Sequence, residues 1–419
     1  MDPFSFLYSL ERLGMKFGLE NMAALCAALG HPERAFQSVL IAGTNGKGSV
    51  TVMVETALRA AGHRTARYTS PHLVRLEERF VVDGQEIGTA ALREAVATVQ
   101  TKVESLIERG VLDALPTFFE CTTAAAFEVF RRANIEIAVL EVGLGGRLDA
   151  TNVVMPMVTA VTSIDFDHQA QLGDTLESIA GEKAGIAKPG VPLVCGPVPE
   201  AAARVIRDVC ESRHAPFIPV SATVHMVPHG DTIEVHAAGR VLREIRLALP
   251  GKHQRDNAAV AVALLNEVAS RGVAVSDAAI VTGLTEARWP GRLERFVRDG
   301  VDVLLDAAHN PAGARALASH LQDIGWTRAT LVFGAMRDKD VNAMLPVLAP
   351  ACERIICTTA PSPRALPAAE LAEAARTLPV AVDVVPDFRE ALAQAIGYRR
   401  PVVAAGSIFL IGPLRDILR

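Results

Sequence analysis

The sequence predicts an α/β protein built on parallel strands, and three observations carry that expectation. Short apolar runs alternate with helical patterns along nearly the whole chain. One such run ends in a glycine-rich turn that opens directly into a helical pattern. Half of the 419 residues are apolar, enough for a large buried core and two or three domains.

The first strand, Val39–Ala42, runs into Gly43-Thr44-Asn45-Gly46-Lys47-Gly48-Ser49, and Val50 to Ala61 reads as a helix. Glycines let backbone N–H groups approach phosphate oxygens, the helix dipole favours negative charge, and Lys47 adds a point charge. This loop predicts binding of ATP or GTP. Its spacing departs from G-x-x-x-x-G-K-[ST], because only three residues separate Gly43 from Lys47, and Gly48 stands where a magnesium-binding hydroxyl usually follows the lysine.

Further strands are expected at Ile135–Glu141, Met157–Thr162, Pro192–Cys195, Val301–Asp306, Thr330–Phe333, Arg354–Cys357, Ala381–Val385 and Pro401–Ala405. Helices are expected among them at Cys121–Ala133, Gln254–Ala269, Ala312–Ile324, Pro367–Arg376 and Phe388–Ile396. Val220 to Leu249 alternates like an antiparallel appendage on the sheet. Its His225, His229 and His236 lack metal-ligand spacing and read as solvated-face histidines. Proline and glycine in Arg288-Trp289-Pro290-Gly291-Arg292 mark a boundary between an N-terminal domain, 1–290, and a C-terminal one, 296–419.

Composition excludes several classes. A net charge of −5 argues against a general nucleic-acid binder. No apolar run approaches the ~18 residues of a membrane span, and the start lacks the pattern of a secretory signal. The six cysteines form no C-x-x-C pair and read as buried, reduced thiols of a cytoplasmic protein.

Four more clusters carry chemistry. Thr69-Ser70-Pro71-His72-Leu73 is a rigid hydroxyl-bearing loop. Glu141 ends a hydrophobic strand, where open α/β sheets place ligand chemistry, and leads into a glycine-rich turn with Arg147, Asp149 and Asn152. Ser163 to His168 follows another strand and brings a histidine to the same sheet edge. Lys183 lies in the helical stretch Gly181-Glu182-Lys183-Ala184-Gly185, where the ordinary reading is a surface salt-bridging lysine.

In this order the clusters resemble the folylpolyglutamate synthase/dihydrofolate synthase family of the Mur ligase superfamily. The likeness continues through Pro290-Gly291-Arg292, Asp306-Ala307-Ala308-His309-Asn310-Pro311, Asp338-Lys339-Asp340 and Ala405-Gly406-Ser407. It implies a Mur-ligase-like P-loop ATPase domain and a smaller Rossmann-like α/β domain that closes over it. The implied activity is ATP-dependent amide formation between a pterin-linked carboxylate (dihydropteroate or a reduced folate) and L-glutamate, through an acyl phosphate. Thr44, Asn45, Gly46, Lys47, Gly48 and Ser49 would hold the phosphates, with Asn257, Arg292 and Asp306 on the nucleotide. Ser70, Glu141 and His168 would bind Mg²⁺. Lys183 matches a lysine carbamylated in the family, a change that turns a cation into a carboxylate able to hold a second ion. K⁺ is a further cation the resemblance allows. Thr117, Phe118, Phe119, Glu120, Leu148, Asp149 and Ala150 would line the pterin pocket, closed by a loop at Lys16, Phe17 and Gly18. His309 and Ser407 would meet glutamate, His309 with a catalytic part.

Gln169 and Phe166 depart from the family pattern without replacing a ligand. A cell-wall Mur ligase is the rival within the superfamily, disfavoured because only about 40 residues precede Gly43. A nucleotide-dependent switch is the rival outside it. No membrane or nucleic-acid partner is expected, and the chain is expected to act as a monomer. The family divides into enzymes that only extend the glutamate tail and bifunctional ones that also make dihydrofolate, and the Phe118-Phe119-Glu120 and Lys16–Gly18 segments favour the bifunctional type.

Overall fold

The computed structural model describes residues 2–13 and 18–419. Lys16 and Phe17 lie outside the described residues. The chain divides into two compact units, one of Met1–Ile164, Leu172–Ala248 and Asp256–Ala287, the other of Asp165–Gln171, Leu249–Arg255 and Arg288–Arg419.

The first unit holds an eight-stranded sheet: β1 Gln37–Ala42, β2 Thr65–Tyr68, β3 Phe80–Val82, β4 Gln85–Glu86, β5 Ile137–Glu141, β6 Val158–Val161, β7 Leu193–Cys195 and β8 Phe217–Pro219, in the order β4-β3-β2-β5-β1-β6-β7-β8. The five strands from β5 and β1 to β8 and their neighbour β2 run parallel; β3 and β4 turn back antiparallel at one edge. Burial of β5 on both faces explains its unbroken apolar run. The register sets Ile41 beside Glu141 and Ala42 beside Val161. The loops leaving β1, β5 and β6 therefore emerge side by side at the carboxyl ends of the strands. Helix Lys47–Ala60, which follows β1, packs on helix Asp277–Thr285. A Cβ on Gly283 would lie 2.6 Å from the Ala57 Cβ and 2.7 Å from the Met53 carbonyl, so glycine permits that close crossing.

The antiparallel stretch forms as expected, but as a sheet of its own: β9 Val224–His229, β10 Thr232–Ala237 and β11 Arg240–Ile245 pair only with one another. Its period-two burial sets Ile233, Val235 and Ala237 inward and leaves His225 and His229 exposed.

The second unit carries β12 Glu294–Arg298, β13 Val301–Leu305, β14 Ala329–Phe333, β15 Cys352–Cys357, β16 Ala381–Val384 and β17 Val402–Ala405, in the order β12-β13-β17-β14-β15-β16. All are parallel except the edge strand β12. Separate apolar cores fill the two units. All six cysteines are free and buried, and burial pushes the thiols of Cys195, Cys352 and Cys357 up to about 12. No helix among the described residues is long and apolar enough to cross a membrane.

Candidate active site

The glycine loop is held from two sides. Gly43 (φ 150°) and Gly46 (φ 85°) adopt backbone conformations that side chains disfavour. Space forbids a side chain as well: a Cβ would lie 1.9 Å from Thr162 Oγ1 at Gly43 and 2.2 Å from Asn257 Oδ1 at Gly46. The residues just past β6 clasp the loop. Thr44 N–H donates to the Ser163 carbonyl (2.8 Å) and Asn45 N–H to Ser163 Oγ (2.9 Å), while the Asn45 carbonyl accepts from Thr162 Oγ1 (2.6 Å) and Ser163 Oγ (3.0 Å). The helix N-cap is Gly46, which brings no side chain to cover the first-turn amides.

Two ammonium groups meet one carbonyl there. Lys47 Nζ donates to the carbonyls of Gly43 (3.0 Å) and Thr44 (3.2 Å), and Lys183 Nζ donates to the same Gly43 oxygen at 2.9 Å. Lys183 is 5 % exposed, so it is not the surface salt-bridging lysine that its sequence context suggests. Its helix, Leu176–Ala184, is set by a Thr175–Ser178 capping box, and its last turn lies against the glycine turn after β5. A Cβ on Gly146 would fall within 3 Å of the Glu182 and Lys183 carbonyls, and Arg147 N–H donates to the Glu182 carbonyl (2.8 Å). This helix is what approaches the glycines.

Glu141, at the end of β5, is 5 % exposed and accepts from Ser70 N–H at 3.2 Å. Asp149 is consumed locally: its oxygens take the amides of Gly143, Leu144 and Thr151 and the Thr151 hydroxyl. Burial pushes its pKa up, against the pull of those hydrogen bonds. Ala150 opens a buried single turn that Asp149 caps, and Leu148 is half-buried.

Thr117 and Glu120 form a reciprocal capping box on helix Phe118–Arg132 (2.7 and 3.1 Å). The second Glu120 oxygen, Oε1, is buried without a hydrogen-bond partner. Phe118 meets Tyr8 (centroids 6.2 Å apart, planes 25°) and Arg79, while Phe119 packs on Tyr68 at 6.0 Å and covers Gly143. Gly18 is half-buried with φ 139°, and a Cβ there would strike Glu20.

In the second unit, Asp306 is buried and accepts from Leu293 and Ala308 N–H, both 2.9 Å; burial pushes its pKa up while Arg292 pulls it down. Asp167 is the hub of a cluster that sequence reasoning did not single out. Its carboxylate accepts from Lys339 Nζ (2.6 Å) and Asn310 Nδ2 (2.9 Å) and lies 3.4 Å from His309 Nε2. The contact with His309 and the Lys339 charge hold it far below the usual carboxylate range in spite of its burial. His309 Nδ1 faces the Ala307 carbonyl (2.9 Å), so both ring nitrogens face acceptors. His168, next in the chain, has φ 51° and a part-exposed ring. Ser407 is 2 % exposed and N-caps helix Ile408–Leu418 through Phe409 N–H. Among the described residues no three His, Cys, Asp or Glu side chains gather as a metal site.

Comparison with known proteins places this geometry. Residues 85–265 match the Mur ligase middle domain and residues 291–408 the Mur ligase glutamate ligase domain. The chain is 35 % identical to the dihydrofolate synthase/folylpolyglutamate synthase of Bacillus subtilis over 427 aligned residues, covering 100 % of this chain and 99 % of that one. The structure of Escherichia coli FolC in complex with DHPP and ADP superposes with a TM-score of 0.89 at 32 % identity, covering 100 % of this chain and 97 % of that one. A bifunctional folylpolyglutamate synthase/dihydrofolate synthase with Mn, AMPPNP and L-glutamate bound gives 0.88 at 32 % identity, covering 100 % and 98 %.

Proposed function

The chain belongs to the folylpolyglutamate synthase/dihydrofolate synthase family of Mur ligases, and we propose that it joins L-glutamate to dihydropteroate and to reduced folylpolyglutamates. It is an ATP-dependent amide ligase. The observation that carries the ATP-ligase reading is the glycine loop with Lys47 and Lys183 on one carbonyl, beside the Glu141 strand end, and the likeness to dihydrofolate synthase/folylpolyglutamate synthases supports the substrates.

A carboxylate is a poor acceptor for an amine because its leaving group would be oxide. The substrate carboxylate attacks the γ-phosphorus of ATP, the bond to the β-γ bridging oxygen breaks, and an acyl phosphate and ADP form. The glutamate amine then attacks the acyl carbon, and phosphate departs with the C–O bond while the amine loses its proton. Of Thr44 to Ser49, the stretch Gly46 to Ser49 would bind the phosphates through backbone N–H groups, while Thr44 and Asn45, whose amides Ser163 takes, shape the loop. Lys47 leaves its own loop carbonyls for the outer phosphates and, with Arg292, balances charge on the transferred group. Asn257 and Asp306 bind and orient the nucleotide.

Glu141, a buried carboxylate that accepts from Ser70 N–H, suits a hard divalent ion, and Ser70 and His168 are the further ligands that the family pattern would supply. Bound there, Mg²⁺ supplies positive charge to the phosphoryl oxygens. Lys183 as an ammonium repels such an ion and shares an acceptor with Lys47. Carbamylation, in which its neutral amine adds CO₂ and releases a proton, removes that repulsion and adds an anionic ligand. K⁺ is a further cation whose requirement dialysis against sodium buffers tests. His309, whose ring nitrogens face the Ala307 carbonyl and Asp167, would meet glutamate with a catalytic part, beside Ser407.

The test is ATP-dependent phosphate release with L-glutamate plus either dihydropteroate or tetrahydrofolate. Turnover with both establishes the bifunctional enzyme, turnover with tetrahydrofolate alone confines it to tail extension, and turnover with neither refutes the substrate assignment.

A further inference from the structure

Arg79 ends the short turn Leu76–Arg79 and is only 7 % exposed. A guanidinium buried that far is ordinarily matched by a carboxylate. Among the described residues none lies within ion-pair distance of it. Its Nε donates to Nδ1 of His72 at 3.0 Å, and its central carbon lies 5.3 Å from the centroid of the Phe118 ring. Glu77, the acidic neighbour on the same turn, takes the Thr89 hydroxyl instead (2.7 Å). Arginine only donates, so His72 accepts at Nδ1 and carries its ring proton on Nε2. The Nε2–H of His72 and the terminal nitrogens of Arg79 are thus donors with no protein acceptor among the described residues, and the Arg79 guanidinium stands beside the Phe118 ring.

Of the polar groups first expected to recognise a pterin, only Glu120 Oε1 is left uncommitted, and a carboxylate oxygen accepts, so it can meet ring N–H groups and not a lactam oxygen. Both Asp149 oxygens hold their own turn, and Thr117 Oγ1 with Glu120 Oε2 caps a helix. Flat rings with a lactam oxygen need donors at one edge and an aromatic surface against a face. Phe118 offers the surface and Arg79 with His72 offers the donors.

We propose that Arg79, oriented by His72 and Phe118, is a substrate-binding residue that donates to the lactam oxygen of the pterin ring. This rests on the pterin reading above and names the residue that recognises the ring. The interaction also supplies the missing partner of the buried cation, so the ligand and not a protein carboxylate completes it.

The experiment titrates dihydropteroate, and separately a hydroxymethyl dihydropterin that lacks the benzoate, into wild type, Arg79→Gln, Arg79→Lys and His72→Leu by fluorescence, without ATP. Loss of one charge-assisted hydrogen bond weakens both ligands by about 10- to 100-fold in Arg79→Gln. Arg79→Lys recovers part of that, and His72→Leu weakens both by a smaller factor. ATP affinity and melting temperature stay near wild type in the folded variants. Unchanged affinity for the bare pterin in Arg79→Gln overturns the proposal, as does a loss confined to dihydropteroate, which would place Arg79 on the carboxylate. If Arg79→Gln does not fold, His72→Leu decides, and unchanged pterin affinity there overturns it. Wild-type protein that binds neither ligand refutes the pterin reading and this proposal together; wild-type binding with an indifferent Arg79→Gln refutes this proposal alone.

Discussion

Gly46→Ala separates backbone strain from close approach in the glycine loop. Gly46 has φ 85°, where an added Cβ costs roughly 1–2 kcal/mol. The same Cβ would lie 2.2 Å from Asn257 Oδ1 and 3.0 Å from its Cγ, and Asn257 is itself only 8 % exposed. The amide must therefore rotate within packed surroundings, adding about 1–2 kcal/mol, as overpacking does. The total, about 2–4 kcal/mol, corresponds to a melting shift of roughly 4–10 °C for a unit of this size. Moving both the loop amide and Asn257 should weaken ATP at least about 10-fold, the equivalent of one lost hydrogen bond. Gly30→Ala is the control, because Gly30 has φ 78° but nothing within 4 Å of the added Cβ. It should show the strain alone, about 1–2 kcal/mol, with no change in nucleotide affinity. Scanning fluorimetry and titration with a fluorescent ATP analogue give both quantities. Wild-type ATP affinity in Gly46→Ala, or equal losses of affinity in the two variants, would refute the claim that the approach of Asn257 shapes the phosphate site.

Three further predictions follow from the geometry. Lys47→Ala should abolish phosphate release with folded protein intact, checked by circular dichroism beside the coupled assay, and normal turnover would sink the phosphate-transfer account. Glu55 is fully buried on the Lys47–Ala60 helix and binds Arg67 (2.9 Å) and the Thr65 hydroxyl (2.7 Å), so Glu55→Ala should cost about 3–5 kcal/mol in urea unfolding by stranding Arg67, with Glu55→Gln costing less. Burial, helped by Arg292 and His320, lowers the His253 pKa from 6.5 to about 4. The unfolded chain then takes up a proton before the folded one. The stability tied to this histidine is therefore complete above pH 6.5, falls by about 3 kcal/mol as pH drops to 4, and is flat below. His253→Leu should flatten that part of the unfolding-versus-pH curve, and an unaltered slope would contradict the assignment.

The glycine loop was legible because everything that defines it is local: strand, glycines, lysine and helix lie within a few residues. The buried parallel strands were legible for the same reason. The strands that sequence reasoning missed are short, polar or at edges. Thr65–Tyr68 carries Arg67, whose charge is answered by Glu55 on a helix, and Glu294–Arg298 is a charged edge strand with Val297 turned outward. Phe217–Pro219 spans three residues, too few to show a period. Lys183 looked like a surface residue because its acceptor, the Gly43 carbonyl, is 140 positions away. Asp167 and Arg79 were invisible for a related reason, since what distinguishes them is which partner they have or lack, and no spacing encodes that.

The loop's fixation bears on how ATP meets it. Thr162 and Ser163 hold the Asn45 peptide from the neighbouring strand end, so the amides keep their directions before a phosphate arrives and little ordering entropy remains to be lost on binding. The two lysines differ in what binding asks of them. Lys47 stands on the helix that begins the phosphate cradle, and its ammonium is satisfied by two carbonyls of its own loop; phosphate oxygens offer that cation a stronger, charged partner. Lys183 reaches the same carbonyl from a helix braced against the glycine turn after β5 and capped at its start. As long as Lys183 stays an ammonium, it still covers the Gly43 oxygen when Lys47 turns to the phosphates, so the loop need not rearrange to release its own lysine; carbamylation would withdraw that cover. A Lys183→Met variant, which keeps the length and loses the donor, should therefore bind ATP more weakly even where chemistry is not measured. Equal ATP affinity in that variant would mean that Lys183 serves the reaction alone and leaves the loop's shape to Thr162 and Ser163.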